Sequence, residues 1–265
     1  MLNDFSMKVL FAPALALALL AASPTSAEEL VRLETRPGVT QAFWVMVPEG
    51  SPKAAAILFA GSEGVLNSAT NPNLHNNNFL IRSRARFAAL GLLVASVDAP
   101  SDEATGMVQE FRASVEHARD IAAVIAYLRQ RAAVPVWLVG TSQGTISAAN
   151  VAARLSSGGA DGLVLTSTIV APNRRSRAVA SWVDLAAITV PTIIVHHRDD
   201  ACVLCPFNAA EALPPLLTHA PHVQFIAVSG GSPPQSDPCD ALSRHGYIGI
   251  EDEVVGDIVN AMAVH

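Results

Sequence analysis

Residues 134–154, VPVWLVGTSQGTISAANVAAR, decide the fold. The apolar run at 134–139 reads as a buried strand, and the small-residue segment 145–154 reads as a helix. Between them stands Gly140-Thr141-Ser142-Gln143-Gly144, a G-x-S-x-G turn. A sharp strand-to-helix turn of this kind carries a serine hydroxyl clear of the backbone, and its glycines keep any Cβ from clashing with the adjoining elements. The serine then stands at a helix N-terminus, where free N–H groups and the helix dipole favour developing negative charge. Ser142 is therefore a candidate nucleophile.

Outward from this turn, short β-like runs alternate with helical ones. Runs at 30–34 and 41–47 predict an antiparallel pair about a Pro37-Gly38 turn. Further strands are expected at 54–60, 91–97, 134–139, 163–168, 189–195 and 223–228. Helical spacing marks 78–90, 114–131 (Ile121, Val124, Ile125, Leu128) and 251–264. The alternation predicts an α/β fold: a single doubly wound, mostly parallel eight-stranded sheet with helices on both faces. Between Thr168 and Pro191 the chain is too short for a large cap domain. In such sheets the chemistry gathers at the carboxyl ends of the strands.

Composition narrows the function. The 265 residues are 51% hydrophobic and 15% charged, which suits one compact domain. A net charge of −6 leaves no basic stripe for nucleic acid. The densest basic cluster, Arg174, Arg175 and Arg177, reads as a solvated loop. Met7-Lys8 opens an apolar run followed by Ser23-Pro-Thr-Ser-Ala27, the pattern of a secretory signal peptide (residues 1–27) cleaved after Ala27. The run is short for a membrane span, so no stable anchor is expected, and residues 28–265 form the expected mature domain in a periplasmic or secreted location. In that setting the three cysteines, Cys202, Cys205 and Cys239, predict one disulfide and one leftover thiol.

A serine hydroxyl needs a general base, and the base needs an orienting acid. The run 191–195 leads into His196-His197-Arg198-Asp199-Asp200, and the region after the last strand holds Ser243-Arg244-His245-Gly246-Tyr247. The order is Ser142, Asp200, His245. With the elbow and the strand pattern, the chain resembles a secreted α/β-hydrolase over essentially all of residues 28–265. In that family the acid commonly ends an H-G-x-x-D segment. Residues 196–200 match that frame with His197 in place of the glycine, so the resemblance implies Asp200 as acid, with Asp199 the alternative. It implies His245 as base, while His196 and His197 shape the acid turn. It implies backbone donors to an oxyanion from Gln143 and from Ser62, within Ala60-Gly61-Ser62-Glu63-Gly64, where the family often has H-G or H-G-G.

If the triad forms, the acid and histidine loops meet, and a Cys202–Cys239 bridge would hold Asp200 and His245 in register; Cys205 competes for the same partner. No metal site or cofactor is implied. Asn67 to Asn78 is a polar loop placed to cover the site, and Glu63 beside the oxyanion segment has no assigned part. The expected activity is a serine hydrolase cleaving an acyl bond of a small-molecule substrate, most naturally a carboxylic ester. A peptidase or amidase on the same fold and a non-catalytic binding protein are the alternatives.

Overall fold

A computed structural model describes residues 28–71, 74–155, 158–174 and 176–265. The predicted signal peptide and Arg175 lie outside the described residues. The chain forms strands β1 (Glu28–Arg36), β2 (Val39–Met46), β3 (Ala54–Phe59), β4 (Leu92–Val97), β5 (Val136–Thr141), β6 (Gly162–Thr166), β7 (Thr192–His197) and β8 (Val223–Val228). Helices are α1 (Phe79–Ala89), α2 (Gln109–Arg112), α3 (Val115–Arg131), α4 (Gly144–Arg154), α5 (Phe207–Ala210) and α6 (Glu251–Met262).

The eight strands make one sheet in the order β1-β2-β4-β3-β5-β6-β7-β8. The β1–β2 and β2–β4 pairings are antiparallel and the rest parallel. β3 to β7 are buried almost throughout, as expected for central strands covered by helices on both faces. The edge strand β1 instead alternates between exposed and half-buried positions. Two apolar cores lie on opposite faces of the sheet. One gathers Phe43, Phe59 and Ile57 with Ile121, Ile125 and Leu128 of α3 and Ile146 of α4. The other gathers Leu58, Val94 and Val139 with Phe79 and Phe87 of α1 and Ile258 of α6.

Local signals set the helix starts. The Asn78 side chain caps α1 by accepting from the Leu80 amide, and Ser114 caps α3 by accepting from the His117 amide. The Pro37-Gly38 turn joins β1 to β2, with Gly38 at φ +72°.

Two shifted strand ends matter for the site. β7 runs through His196 and His197, two residues past its expected end, and both are buried. β6 stops at Thr166 because Ser167, at φ +43°, turns away to bond the histidine loop. The polar loop is not a free cover. The buried Asp98 carboxylate accepts from the Leu66 and Ser68 amides at 2.6 and 2.8 Å and ties down its start. Among its described residues, only Asn76–Asn78 line the cavity described next.

Candidate active site

β5 delivers Thr141 to the top of the sheet, and the chain turns at Ser142 with φ +51°. A serine in the left-handed region is strained, and such strain persists only where the surroundings enforce it. Here they do. A Cβ on Gly140 would stand 2.5 Å from the Gly144 carbonyl oxygen, and one on Gly144 would run into the Phe59 and Ala60 carbonyls. The elbow is pressed between its own helix and the end of β3, so both glycines are required sterically. The Ser142 amide donates to the Thr166 carbonyl at 3.1 Å, and the Thr145 hydroxyl donates to the Ser142 carbonyl at 2.6 Å.

Ser142 and His245 line one cavity of about 390 Å³. His245 is 4% exposed, and its Nδ1 stands 2.9 Å from Asp200 Oδ2. The other carboxylate oxygen, Oδ1, accepts from the Cys202 amide at 2.9 Å. With Nδ1 committed to the acid, Nε2 of His245 is buried and has no hydrogen-bond partner among the described residues. An unpaired buried ring nitrogen on a cavity wall is an acceptor awaiting a proton donor. The Ser142–His245 hydrogen bond is not made in this conformation.

The turn carrying His245 is held from several sides. Ser243 Oγ accepts from the His245 amide at 3.1 Å, and Ser167 Oγ donates to the His245 carbonyl at 2.7 Å. Tyr247, fully buried at φ +58°, donates its hydroxyl to the Val195 carbonyl at 2.8 Å and accepts from the Ser167 amide at 3.0 Å. The Tyr247 phenol is pushed up by burial, so it stays protonated and keeps that donor. Arg82 of α1 donates to the Gly246 carbonyl and pairs with Glu251 at 2.9 Å.

On the acid side, His197 Nδ1 accepts from the Asp199 amide at 3.0 Å, which shapes the turn as the sequence suggested. His196 bonds the Cys205 carbonyl at 2.7 Å and lies 3.7 Å from Asp200. Burial lowers the His196 pKa, so it stands neutral beside the acid. Asp199 is exposed, and the carboxylate that reaches His245 is that of Asp200. Cys202 and Cys239 form a disulfide with Cα atoms 4.5 Å apart, and Cys205 remains a buried thiol with its pKa pushed well up by burial.

The segment after β3 backs onto the serine, since a Cβ on Gly61 would lie 3.0 Å from Ser142 Cβ. Ser62 takes φ +47°. The Gln143 amide stands at the N-cap of α4. Neither the Ser62 nor the Gln143 amide is hydrogen-bonded among the described residues. The Gln143 side chain accepts from Gln109 Nε2 at 2.8 Å and donates to Ser176 Oγ at 3.2 Å. The Glu63 side chain packs over Gly106 and borders the cavity. Arg112, Tyr247 and Arg82 carry no sequence signal of their own, because each works through contacts between distant segments.

This sheet order, strained elbow and histidine–carboxylate pair define an α/β-hydrolase fold. No protein-family model matches the chain, and no curated protein matches it. Solved structures do. An α/β serine hydrolase homologue from Coxiella burnetii is 18% identical, with a TM-score of 0.60 over 90% of this chain and 100% of that one. An α/β serine hydrolase without a lid from Xanthomonas campestris is 14% identical, with a TM-score of 0.60 over 90% and 95%. A thermostable carboxyl esterase from Bacillus coagulans is 13% identical, with a TM-score of 0.60 over 90% and 99%.

Proposed function

We propose that the protein is a serine hydrolase that cleaves a carboxylic ester through an acyl-enzyme. One observation carries the reading: the strained Ser142 shares its cavity with the buried, unpaired Nε2 of a histidine whose Nδ1 is held by Asp200. Ser142 Oγ attacks the carbonyl carbon while His245 Nε2 takes its proton. The Asp200 carboxylate keeps the Nδ1 proton in place and stabilises the imidazolium. The Gln143 and Ser62 amides donate to the tetrahedral oxyanion. His245 then protonates the leaving alcohol, and water resolves the acyl-enzyme with His245 again as base.

The structural neighbours, a carboxyl esterase and serine hydrolases among them, support the class. The cavity walls favour a small polar substrate over a long acyl chain. Asn76, Asn77, Glu63 and Asp240 border the space beside Ser142, and the described lining residues include no lysine or arginine. Export with cleavage after Ala27 belongs to the same proposal, supported by the disulfide. Among the described residues no helix is long and apolar enough to cross a membrane.

The test is a panel of aryl esters of rising acyl length beside aminoacyl amides, with Ser142→Ala as control. The expected result is turnover of acetyl and propionyl esters, a decline with longer chains, and loss of all of it in Ser142→Ala. Turnover of amides without esters would make the protein a peptidase or amidase. No turnover of either class would favour a binding protein.

A further inference from the structure

Arg112, the last residue of α2, is 1% exposed, and it is the one arginine buried to that degree among the described residues. Its guanidinium meets only neutral oxygens. Nη2 donates to the Ser62 carbonyl at 2.9 Å; Nη1 donates to Ser147 Oγ at 3.0 Å and to the Ala60 carbonyl at 3.5 Å. Nε has no partner, and no carboxylate stands within hydrogen-bond distance. Burial lowers its pKa to about 10, opposed by the charge of nearby Glu63, so it remains a cation at neutral pH. A desolvated cation with no anionic partner is costly, and folds keep such groups where something else requires them.

The bonds show what that is. The Ala60 and Ser62 carbonyls flank the Gly61–Ser62 peptide, whose N–H is one of the two oxyanion donors proposed above. Ser147 lies one turn into α4, the helix whose N-cap supplies the other donor, Gln143. One guanidinium therefore joins the two chain segments that must stay in register. The neighbourhood makes room for it: a Cβ on Gly64, at φ +71°, would lie 2.5 Å from both Arg112 Nη2 and Met107 Cε. The Met107 amide closes the far side by donating to the Glu63 carbonyl at 2.9 Å.

We propose that Arg112 is a positioning residue of the oxyanion site: its guanidinium fixes the Ser62 amide relative to the Gln143 amide and adds a buried positive charge behind them. This rests on the hydrolase reading above. The charge has no hydrogen-bonded carboxylate in the resting protein, only the field of nearby Glu63, and it favours the further negative charge of the tetrahedral intermediate. Its effect falls on the transition state rather than on the bound ester.

The experiment compares wild type, Arg112→Lys, Arg112→Met and Ser147→Ala for hydrolysis of p-nitrophenyl acetate and for inhibition by an alkyl trifluoromethyl ketone. That inhibitor forms an anionic tetrahedral adduct with an active serine. Arg112→Met is expected to lose about 100-fold in kcat with KM within about twofold, the scale of losing or misplacing one oxyanion donor. Arg112→Lys keeps the charge without the fork and is expected to recover about tenfold of that loss. Ser147→Ala is expected to lose about threefold to tenfold, on the scale of the net contribution of one ordinary hydrogen bond. In every variant, ketone affinity should fall in proportion to kcat. Folded variants that keep kcat within twofold, or that lose rate through KM with ketone affinity unchanged, would overturn the proposal. If Arg112→Met does not fold, Arg112→Lys and Ser147→Ala decide by the same criteria. A wild type that neither hydrolyses the ester nor binds the ketone refutes the hydrolase reading itself, a different outcome from active wild type with unaffected variants.

Discussion

The two halves of the site are built differently. The serine half is local in sequence. Strand, turn and helix follow within residues 136–154, and its geometry is enforced by what is missing, two side chains at Gly140 and Gly144. The acid–base half joins residues 45 positions apart, held by what has been added: a disulfide, the Tyr247 hydroxyl, Ser167 and Arg82. A tight turn needs steric permission, whereas two distant loops need tethers to offset the entropy of bringing them together. Damage should therefore be abrupt on the serine side and graded on the other.

The largest effect should separate the two aspartates. Asp200→Asn leaves the loop bonds largely in place but removes the charge that fixes the His245 tautomer, so kcat should fall about 10⁴-fold. Asp199→Asn should stay within about threefold, because its side chain is exposed and the carboxylate bonded to His245 is that of Asp200. Steady-state kinetics on the two variants checks this.

Next comes the tether. Cys202→Ser/Cys239→Ser opens a sequence separation of 37, and denaturant unfolding should show a loss of about 4 kcal/mol in the chain-entropy model. Activity measured where the variant is still folded should fall as well, through the looser Asp200–His245 pair. Gly144→Ala probes the serine half. Its new methyl meets backbone carbonyls rather than a movable side chain, so a loss of about 3 kcal/mol is expected. Unlike the disulfide variant, it should lose activity wholly with the fold.

The smallest effect concerns a buried histidine on the serine side. His117, 1% exposed and packed edge-on to Phe59 and tilted against Phe111, has both ring nitrogens unpaired among the described residues, and burial lowers its pKa to about 3. The unfolded chain takes up a proton below about 6.5 while the folded one does not, so stability falls as pH drops from 6.5 toward 3. This group alone should cost about 2 kcal/mol between pH 7 and pH 5. Urea unfolding of wild type and His117→Leu at both pH values checks it: the variant should show the shallower slope.

The same division explains what the sequence reveals. The eight-stranded, mostly parallel sheet, the elbow turn, the Asp200–His245 contact and the Cys202–Cys239 pairing are legible because each rests on a run, a spacing or an established frame. Strand β7 extends past its expected end because pairing with β8 continues through His196 and His197, two polar residues that no apolar run would include. Asp98 reads as a helix cap, yet its carboxylate holds the Leu66 and Ser68 amides of a segment some thirty residues earlier in the chain. Arg112 and Tyr247 are illegible for the same reason. A charged residue at the end of a four-residue helix reads as surface, and a tyrosine at positive φ reads as nothing at all. Their roles arise only when β6, β7 and the oxyanion loop come together.

Covalent trapping tests the central claim most directly. Wild type and Ser142→Ala are treated with a fluorophosphonate, and the adduct is located by intact mass and peptide mapping. The account predicts a single adduct on the peptide containing Ser142, absent in Ser142→Ala and strongly slowed in His245→Ala. No adduct on wild type, or equal labelling of Ser142→Ala, would contradict it.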